Sequence, residues 1–376
     1  MTSELSSLCS YAKGKVSVDT LSKRNYVSTE NMVPNKGGIV DAGALPSAQY
    51  TQQYMKDDIL VSNIRPYFKK IWMADDDGGC SNDVLVFRAE CGCDSTFLYY
   101  VLANDAFFNY ASATSKGTKM PRGDKTAIMQ YEVPCFNHET QLRIGKLLRS
   151  IDDRITVNKK INDNLQQQAF SVFDNLIANA ENNDYTVSDY AFLNPKRTLA
   201  KNQVARSIDM SQLSTSGAFP SGWEMKPFNG GMRFTNGDTL LARITPCLEN
   251  GKTAFIDFLD DGEVAFGSTE YIVLAPKNDT PPEMLYCLAR YPAFVDYAVK
   301  NMNGSSGRQR VSAETVGQYR LPLFDKHSLV LFKEVVSPMF LKMRYNSLEN
   351  MRLAELRDAL LPKLMSGEID VSAVQL

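Results

Sequence analysis

Two stretches of this sequence are nearly the same: QYEVPCF at residues 130–136 and QYRLPLF at residues 318–324, which lie 188 positions apart. The likeness continues upstream, where DILVSNIRP (58–66) matches DTLLARITP (238–246) at an offset of 180. The offset drifts by only a few residues along segments of varied composition. We therefore interpret the chain as two copies of one structural unit that differ by small loop insertions.

Each copy has the same order of predicted elements. Short strand-like runs at 58–61 and 84–87 precede a helical pattern in FLYYVLANDAFFNYA (97–111), which matches MLYCLARYPAFVDYA (284–298) in the second copy. A polar loop with glycine follows, and then the Gln-Tyr segment. Each copy is predicted to be a mixed α/β domain of ordinary size.

The composition is that of a soluble globular protein. The chain has 376 residues, 44% hydrophobic and 22% charged, with a formal net charge of −2. No apolar run is long enough for a membrane span, and no export signal is recognised, so we expect no membrane partner. The seven cysteines lack zinc-ligand spacing and predict reduced thiols in a cytoplasmic protein.

A long helix is predicted after each copy, with Asn137 and Asp325 as N-caps. Apolar residues recur at seven-residue steps through the first helix, which is typical of a coiled coil. The repeat is interrupted by four asparagines at equivalent positions of the two helices: Asn158, Asn162, Asn346 and Asn350. We predict that the helices pair antiparallel so that these asparagines meet; the alternative is that Asn158 and Asn162 face solvent. Pro338 predicts a kink, or a restart of the second helix capped by Ser337.

The predicted fold class is therefore α/β (mixed α+β), with two tandem globular domains separated and followed by long helices that form an antiparallel coiled coil with pseudo-twofold symmetry. The predicted segments are residues 1–137 (first domain), 138–178 (central spacer helix), 179–325 (second domain) and 326–376 (C-terminal spacer helix).

Positive charge is concentrated in flexible loops of both copies. SKGTKMPRGDK (115–125) and NGSSGRQRVS (303–312) combine glycine with basic residues, and residues 195–207 carry four basic residues without an acid. Such loops suit phosphate contact and entry into a DNA groove, although an ordinary solvated surface is the alternative. The candidate DNA-binding residues are Arg308, Gln309, Arg310, Lys116, Lys119, Arg122, Arg65, Lys69, Arg243 and Lys252. Arginine can form paired hydrogen bonds with the edge of guanine, and glutamine can do so with the edge of adenine.

Motifs for chemistry are missing from the sequence. There is no phosphate-binding G-x-x-x-x-G-K-[ST] loop and no glycine-rich turn of a dinucleotide or S-adenosylmethionine site. Asn194-Pro195 continues with Lys-Arg, unlike the Pro-aromatic pair expected where a nucleobase is methylated. We predict no catalytic, cofactor-binding or metal-binding residues, and hence a non-catalytic protein.

The chain resembles the specificity subunit of type I restriction-modification systems. The resemblance is carried by GDTLLARITPCLENGKTAF (237–255), the NGSSGRQRVS loop, QYRLPL and the closing LLPKLMSGEI (360–369), in this order and with this duplication. It implies two target-recognition domains, each reading one half of a bipartite, asymmetric site in double-stranded DNA. It also implies two modification (methyltransferase) subunits docked on the helices and ATP-dependent restriction subunits. S-adenosylmethionine, ATP and Mg²⁺ would belong to those partners, with no cofactor in this chain.

Three other functions remain open from sequence. The recognition module could serve a methylation-only system or another effector. The chain could be a protein-interaction scaffold built on its coiled coil. A self-sufficient methyltransferase is disfavoured because the cofactor loop is missing.

Overall fold

The computed structural model describes residues 2–180, 184–305 and 307–372. The chain forms two compact units that are not contiguous in sequence. Unit 1 consists of Met1–Asp153 with Ala354–Leu376, and unit 2 consists of Arg154–Leu353. Each unit thus contains one globular copy of the repeat and a part of both long helices.

The described residues of unit 1 form ten strands and four α-helices. The strands are β1 (Thr2–Glu4), β2 (Cys9–Tyr11), β3 (Lys15–Ser17), β4 (Tyr26–Val27), β5 (Tyr50–Tyr54), β6 (Ile59–Ser62), β7 (Ile71–Met73), β8 (Gly78–Cys80), β9 (Val84–Ala89) and β10 (Glu132–Pro134). The helices are α1 (Ser95–Ala103), α2 (Asp105–Ala113), α3 (Lys125–Met129) and α4 (His138–Ala178), the last of which continues into unit 2.

Unit 2 repeats this order with small changes. Its strands are β11 (Tyr185–Thr186), β12 (Ala191–Leu193), β13 (Val204–Ile208), β14 (Glu224–Pro227), β15 (Met232–Phe234), β16 (Thr239–Ala242), β17 (Thr253–Phe255), β18 (Ala265–Gly267), β19 (Tyr271–Pro276) and β20 (Arg320–Leu321). Its helices are α5 (Val187–Tyr190), α6 (Pro282–Arg290), α7 (Pro292–Lys300), α8 (Ala313–Gly317) and α9 (Lys326–Ser366), which ends in unit 1.

The repeat predicted from sequence is present in the sheets. Unit 1 has a four-stranded antiparallel sheet in the order β2-β9-β6-β7, and unit 2 has the equivalent β12-β19-β16-β17. The register is the same, since Leu60 lies opposite Val86 and Leu240 lies opposite Val273. β6 and β16 are buried along their whole length, which explains the apolar residues that make up most of each strand.

A second sheet in each unit shows where the copies diverge. Its order is β3-β5-β8-β4 in unit 1 and β14-β13-β18-β15 in unit 2, and each contains one parallel pair. The fourth strand differs: β3 pairs with β5, whereas β14 pairs with β13. The mixed α/β class with two tandem copies and two long helices is therefore confirmed, with a changed edge strand.

The turn before β6 and before β16 contains a buried aspartate in both units. Asp58 accepts two hydrogen bonds from Arg88 (2.8 and 2.6 Å), and Asp238 accepts two from Arg197 (2.5 and 2.6 Å). Burial raises the pKa of Asp238 to about 6, against the opposing effect of Arg197. The two copies thus stabilise the same aspartate with an arginine from different parts of the fold.

The long helices α4 and α9 each contain 41 residues. Their predicted N-caps are confirmed. Asn137 Oδ1 accepts the Thr140 N–H at 2.9 Å, and Asp325 Oδ1 accepts the Ser328 N–H at 3.0 Å. No helix in the part of the chain that the structure describes is long and apolar enough to cross a membrane.

The predicted restart at Pro338 is wrong, because α9 continues through this residue. Ser337 is a helical residue and not a cap, and its hydroxyl is buried without a hydrogen-bond partner among the described residues. The reason is tertiary packing: Phe332, Val336 and Phe340 are buried on both sides of the proline. Burial of these side chains outweighs the hydrogen bond that Pro338 cannot donate.

Candidate nucleic-acid interface

In unit 1, two stretches remote in sequence form one surface: the turn loop of unit 1 (residues 63–70) and the basic loop of unit 1 (residues 115–125). The Arg65 N–H donates to the Pro121 carbonyl at 2.8 Å, and the Gly123 N–H donates to the Asn63 carbonyl at 3.1 Å. The fold therefore places the candidate residues of both loops side by side.

Unit 2 repeats this frame. Its turn loop (residues 243–252) and its basic loop (residues 303–312, of which Ser306 lies outside the described residues) are joined by equivalent bonds. The Thr245 N–H donates to the Gln309 carbonyl at 3.0 Å, and the Val311 N–H donates to the Arg243 carbonyl at 3.0 Å. Gly304 has φ +126°, and a side chain there would approach the Arg308 carbonyl to 3.1 Å.

Three candidate side chains of unit 1 form ion pairs. Lys116 contacts Asp124 at 2.5 Å, Arg122 contacts Asp83 at 3.0 Å, and Lys69 contacts Asp105 at 2.8 Å. The first two cations are exposed on the basic loop. These contacts hold the side chains in place while leaving Lys116 and Arg122 accessible to a ligand.

The other two candidates of unit 1 have few partners. Arg65 donates to the Lys119 carbonyl at a long 3.5 Å, and its Nε is buried with no partner among the described residues. Lys119 is exposed. No side-chain partner is seen for its ammonium group among the residues described. Lys119 is thus available for a ligand at the surface.

In unit 2, a single carboxylate organises two candidate arginines. Arg310 donates to Glu270 through Nε at 2.9 Å and Nη2 at 2.8 Å, and Arg243 donates to the same carboxylate at 3.1 Å. The Arg310 guanidinium, assisted by Arg243, holds the pKa of Glu270 below its ordinary value, although burial opposes this. The carboxylate is therefore ionised at neutral pH and fixes both guanidinium groups.

The remaining candidates of unit 2 differ in accessibility. Arg308 is exposed and Gln309 is half-buried, and neither side chain has a partner in the described part of the structure. Lys252 donates to the Met210 carbonyl at 2.7 Å and is half-buried. Arg308 and Gln309 are thus the side chains best placed to meet a ligand.

Sequence reasoning missed the two carboxylates that position these arginines. Asp83 precedes β9 and Glu270 precedes β19, so they occupy equivalent places in the repeat, as do Arg122 and Arg310. The offset of 187 between the two acids was the signal that could have found them. An arginine–carboxylate pair therefore occupies the same place in the surfaces of both units.

Two of the four basic residues in 195–207 are paired with carboxylates of unit 2 itself. Arg197 pairs with the buried Asp238, and Arg206 pairs with Glu263 at 2.6 Å and with Asp260 at 3.1 Å. Their charges are compensated inside unit 2. These two arginines are therefore structural, in contrast to the reading of this stretch from sequence.

The four asparagines of the helices, here called the asparagine seam, contact one another within unit 2. Asn158 donates to Asn350 at 2.9 Å, and Asn346 donates to Asn162 at 2.8 Å. These two bonds are related by the repeat, since an offset of 188 converts one pair into the other. Asn158 and Asn346 are each only 1% exposed, so Asn158 does not face solvent.

Further contacts along the helices differ between the copies and fix their direction. In unit 2, Arg154 contacts Glu349 at 3.1 Å, and Asn158 donates to the same carboxylate at 2.7 Å. In unit 1, Arg357 contacts Asp152 at 2.7 Å. From the Asn158–Asn350 pair to the Asn162–Asn346 pair, residue numbers rise on α4 and fall on α9, so the packed segments in unit 2 are antiparallel.

No metal site is suggested by the fold. Among residues 2–180, 184–305 and 307–372, no three His, Cys, Asp or Glu side chains are clustered in a way that could hold a metal ion.

Comparison with known proteins gives a consistent result. Residues 1–167 match the family model described as "Type I restriction modification DNA specificity domain". The chain is 23% identical to the type I restriction enzyme HindI specificity subunit of Haemophilus influenzae, over 92% of this chain and 94% of that protein. It is 22% identical to the MjaIX specificity subunit of Methanocaldococcus jannaschii, over 74% of this chain and 70% of that protein.

The fold agrees with a solved structure. The type I restriction-modification S subunit from M. genitalium superimposes with a TM-score of 0.59 at 17% identity, covering 97% of this chain and 96% of that one. The chain thus has the same fold as that S subunit. Residues 1–167 match the DNA specificity domain of type I restriction-modification systems, and the chain as a whole is similar to the specificity subunits of such systems.

Proposed function

We propose that each unit reads one half of a bipartite, asymmetric target in double-stranded DNA. The observation that carries this proposal is the repeated frame of turn loop and basic loop. The same backbone bonds and the same arginine–carboxylate pair recur in both units, while the exposed side chains differ. A shared backbone arrangement with different exposed side chains would allow the two units to read two different half-sites.

The chemistry of the loops divides the candidate residues by role. Arg308 and Gln309 are unpaired in the described structure and suit base edges, arginine bonding to guanine and glutamine to adenine. Lys119, Lys116 and Arg122 supply exposed positive charge for the phosphate backbone. Arg310, Arg243, Lys69, Arg65 and Lys252 are held by protein contacts and position the loops, with Arg310 also within reach of a ligand at 40% exposure.

The same proposal includes protein partners. We infer that modification subunits dock on the helices and that ATP-dependent restriction subunits join them, with S-adenosylmethionine, ATP and Mg²⁺ bound by those partners. In unit 2, α9 exposes apolar side chains that are unusual for a solvated helix: Val330, Leu331, Val335, Leu341 and Tyr345, each at least 43% exposed. Their exposure supports a protein-binding surface on this helix. We expect the complex to act in the cytoplasm, where it meets chromosomal DNA.

The experiment is a genome-wide map of N6-methyladenine in cells with and without this gene, with the modification genes unchanged. We expect a bipartite motif with a fixed gap to disappear when the gene is removed. An unchanged map in a system with active modification subunits would contradict the proposal. A restriction assay with unmodified phage DNA then separates a complete system from a methylation-only one.

DNA binding by the purified chain distinguishes recognition from the scaffold alternative. Binding anchored on phosphates should weaken steeply with salt, by about 10³–10⁵-fold between 50 and 200 mM salt if six to ten phosphates are contacted. A scaffold that binds only proteins through its helices would show no such dependence. Binding of S-adenosylmethionine by the isolated chain would favour a self-sufficient methyltransferase instead.

A further inference from the structure

The turn loop of unit 1 presents aromatic side chains from a strained backbone. Pro66–Phe68 form a single 3₁₀ turn, in which Tyr67 is 52% exposed and Phe68 is 38% exposed. Arg65 and Lys69 flank the turn with φ of 50° and 51°. Residues with a Cβ atom are disfavoured in the left-handed region, and such strain is concentrated at functional sites.

A neighbouring segment holds this turn in place. The Asn35 N–H donates to the Phe68 carbonyl and the Lys36 N–H donates to the Lys69 carbonyl, both at 2.8 Å. Lys36 and Lys69 also share Asp105, at 2.9 and 2.8 Å. Asn35 and Lys36 have positive φ themselves. The exposed rings are therefore part of a built and rigid surface, and not of a loose loop.

The basic loop of unit 1 adds an apolar side chain beside the turn. Met120 is 51% exposed and precedes Pro121, whose carbonyl accepts the Arg65 N–H. Lys119 precedes Met120 in the chain, and Lys70 Nζ lies 6.0 Å from the Phe68 ring centroid. We call Tyr67, Phe68 and Met120 the apolar reading surface. Apolar groups inside a basic surface indicate a ligand with negative charge and local apolar features.

The equivalent positions of unit 2 have different chemistry. At the offset of 188, Met120 corresponds to Arg308, which occupies the same place in the hydrogen-bonded frame. Tyr67 and Phe68 correspond to Cys247 and Leu248, and Leu248 is only 1% exposed. The two units therefore present different groups at one position: an exposed thioether in unit 1 and an exposed guanidinium in unit 2.

We propose that the apolar reading surface of unit 1 recognises thymine methyl groups in the major groove, with Met120 as the specificity-determining residue. This inference rests on the proposed function of DNA recognition. The thymine methyl is the apolar group that base edges offer in the major groove, whereas arginine finds hydrogen-bond acceptors on guanine. The half-site of unit 1 is thus read by apolar contact, and that of unit 2 by hydrogen bonds from Arg308.

The test uses the full chain, alone and with its modification subunits, and a duplex that carries the mapped target. Each thymine of the target is replaced in turn by deoxyuridine, which removes the methyl group and leaves the base pair. We expect the affinity to fall about three- to fivefold at one or more thymines of one half-site, as loss of one buried methyl group predicts. Fluorescence anisotropy at fixed salt measures this.

Matched variants assign the effect to the surface. Met120→Gln should abolish the discrimination between thymine and deoxyuridine, because the amide replaces the apolar contact with the methyl group. Met120→Leu should retain it, because leucine is apolar like methionine. Arg308→Ala should leave the discrimination unchanged and weaken binding at the other half-site. Because Met120 is exposed, each variant is expected to fold, which circular dichroism verifies.

Several results would overturn the inference while the proposed function stands. One is salt-dependent, target-specific binding with no deoxyuridine effect at any thymine. Another is the same effect in wild type and Met120→Gln. A third, measured with the chain alone, is a rise in 2-aminopurine fluorescence at the contacted step, which would show that the side chains unstack the bases. If the chain fails to bind the mapped target at all, the proposed function itself is wrong.

Discussion

Among single residues, Glu270 has two opposing effects on DNA recognition. Its carboxylate holds Arg310 through two nitrogens and Arg243 through one, which reduces the freedom of both side chains. The same negative charge repels phosphate. Since the pKa of Glu270 lies below its ordinary value of 4.5, the pair persists at neutral pH and is lost only as the pH falls through that lowered pKa.

Replacement of Glu270 by glutamine should therefore separate affinity from specificity. We expect Glu270→Gln to increase affinity for unrelated DNA at low salt, because a negative charge is removed. The ratio of target to unrelated affinity should fall by about tenfold, within the roughly 1–3 kcal/mol that one bidentate arginine contact supplies. Anisotropy with both duplexes measures the two effects.

The control for this variant is Asp296→Asn, which removes one negative charge from an exposed helical ion pair with Lys300. Asp296→Asn should change the affinity for unrelated DNA only by the effect of net charge, and it should leave the ratio of target to unrelated affinity unchanged. Equal behaviour of Glu270→Gln and Asp296→Asn would show that Glu270 does not organise the arginines for DNA.

Local contacts were predictable from sequence at this scale, and remote ones were not. The caps at Asn137 and Asp325 follow from residues three positions away, so the pattern alone predicted them. The pairing of Glu270 with Arg310 depends on how a loop lies against a strand 40 residues away. Arg197 lies in a stretch without acids, and nothing in the sequence shows that it reaches Asp238, 41 residues away.

At the scale of elements, packing overrides local preference in α9. Pro338 is exposed and cannot donate a backbone hydrogen bond, yet the helix continues because its other face is buried in the core of unit 2. The helix was predictable from sequence. The continuation through Pro338 was not, because it depends on the burial of the other face of the helix.

Pro338→Ala should accordingly stabilise the protein. We expect the free energy of unfolding to rise by up to about 3 kcal/mol, the cost of proline in a helix interior. Chemical denaturation followed by circular dichroism measures this. Pro292→Ala is the matched control, since Pro292 is also exposed but stands at the first position of α7, where proline is tolerated. An equal gain in both variants would contradict the explanation.

The asparagine seam allows a double-mutant cycle with an internal replicate. Asn158→Leu and Asn350→Leu should each cost about 1–3 kcal/mol, because each leaves a partner unsatisfied. The double variant should cost less than the sum, with a coupling energy of about 0.5–3 kcal/mol. The repeat predicts a similar coupling for Asn162 and Asn346.

Asn229→Ala, in an exposed loop, combined with Asn158→Leu serves as the additive control. Additive behaviour of the Asn158 and Asn350 pair would mean that their hydrogen bond does not stabilise the helix pairing.

At the scale of the whole molecule, the two units share the chain in an unusual way. Unit 1 is completed by residues from the far end of the sequence: Leu361, Leu364 and Val371 are buried in the same core as Phe97 and Leu98. Duplication of the globular copies could be read from the sequence. The participation of the last helix in the core of the first copy could not, because it depends on which helical segments pack together.

Leu364→Ala should therefore destabilise unit 1 selectively. Leu364 is fully buried, and its truncation is expected to cost about 2–5 kcal/mol. Hydrogen exchange should accelerate in α1 of unit 1 and remain slow in the equivalent α6 of unit 2. Leu356→Ala, in the same helix but 48% exposed, should change neither. Acceleration in both helices would show that the units unfold together.

The discontinuous make-up of unit 1 also sets an order of events during protein synthesis. Residues up to Asp153 leave the ribosome first, but the segment that completes their core begins only at Ala354. About 200 residues separate Asp153 from Ala354. At a translation rate of about 5–20 residues per second, the second segment is synthesised about 10–40 s after the first. During that interval Ile144 and Leu148, buried in the finished protein, lack the partners that α9 supplies. The first copy to be synthesised is thus the last to be completed, and nascent chains need protection from aggregation most at this stage.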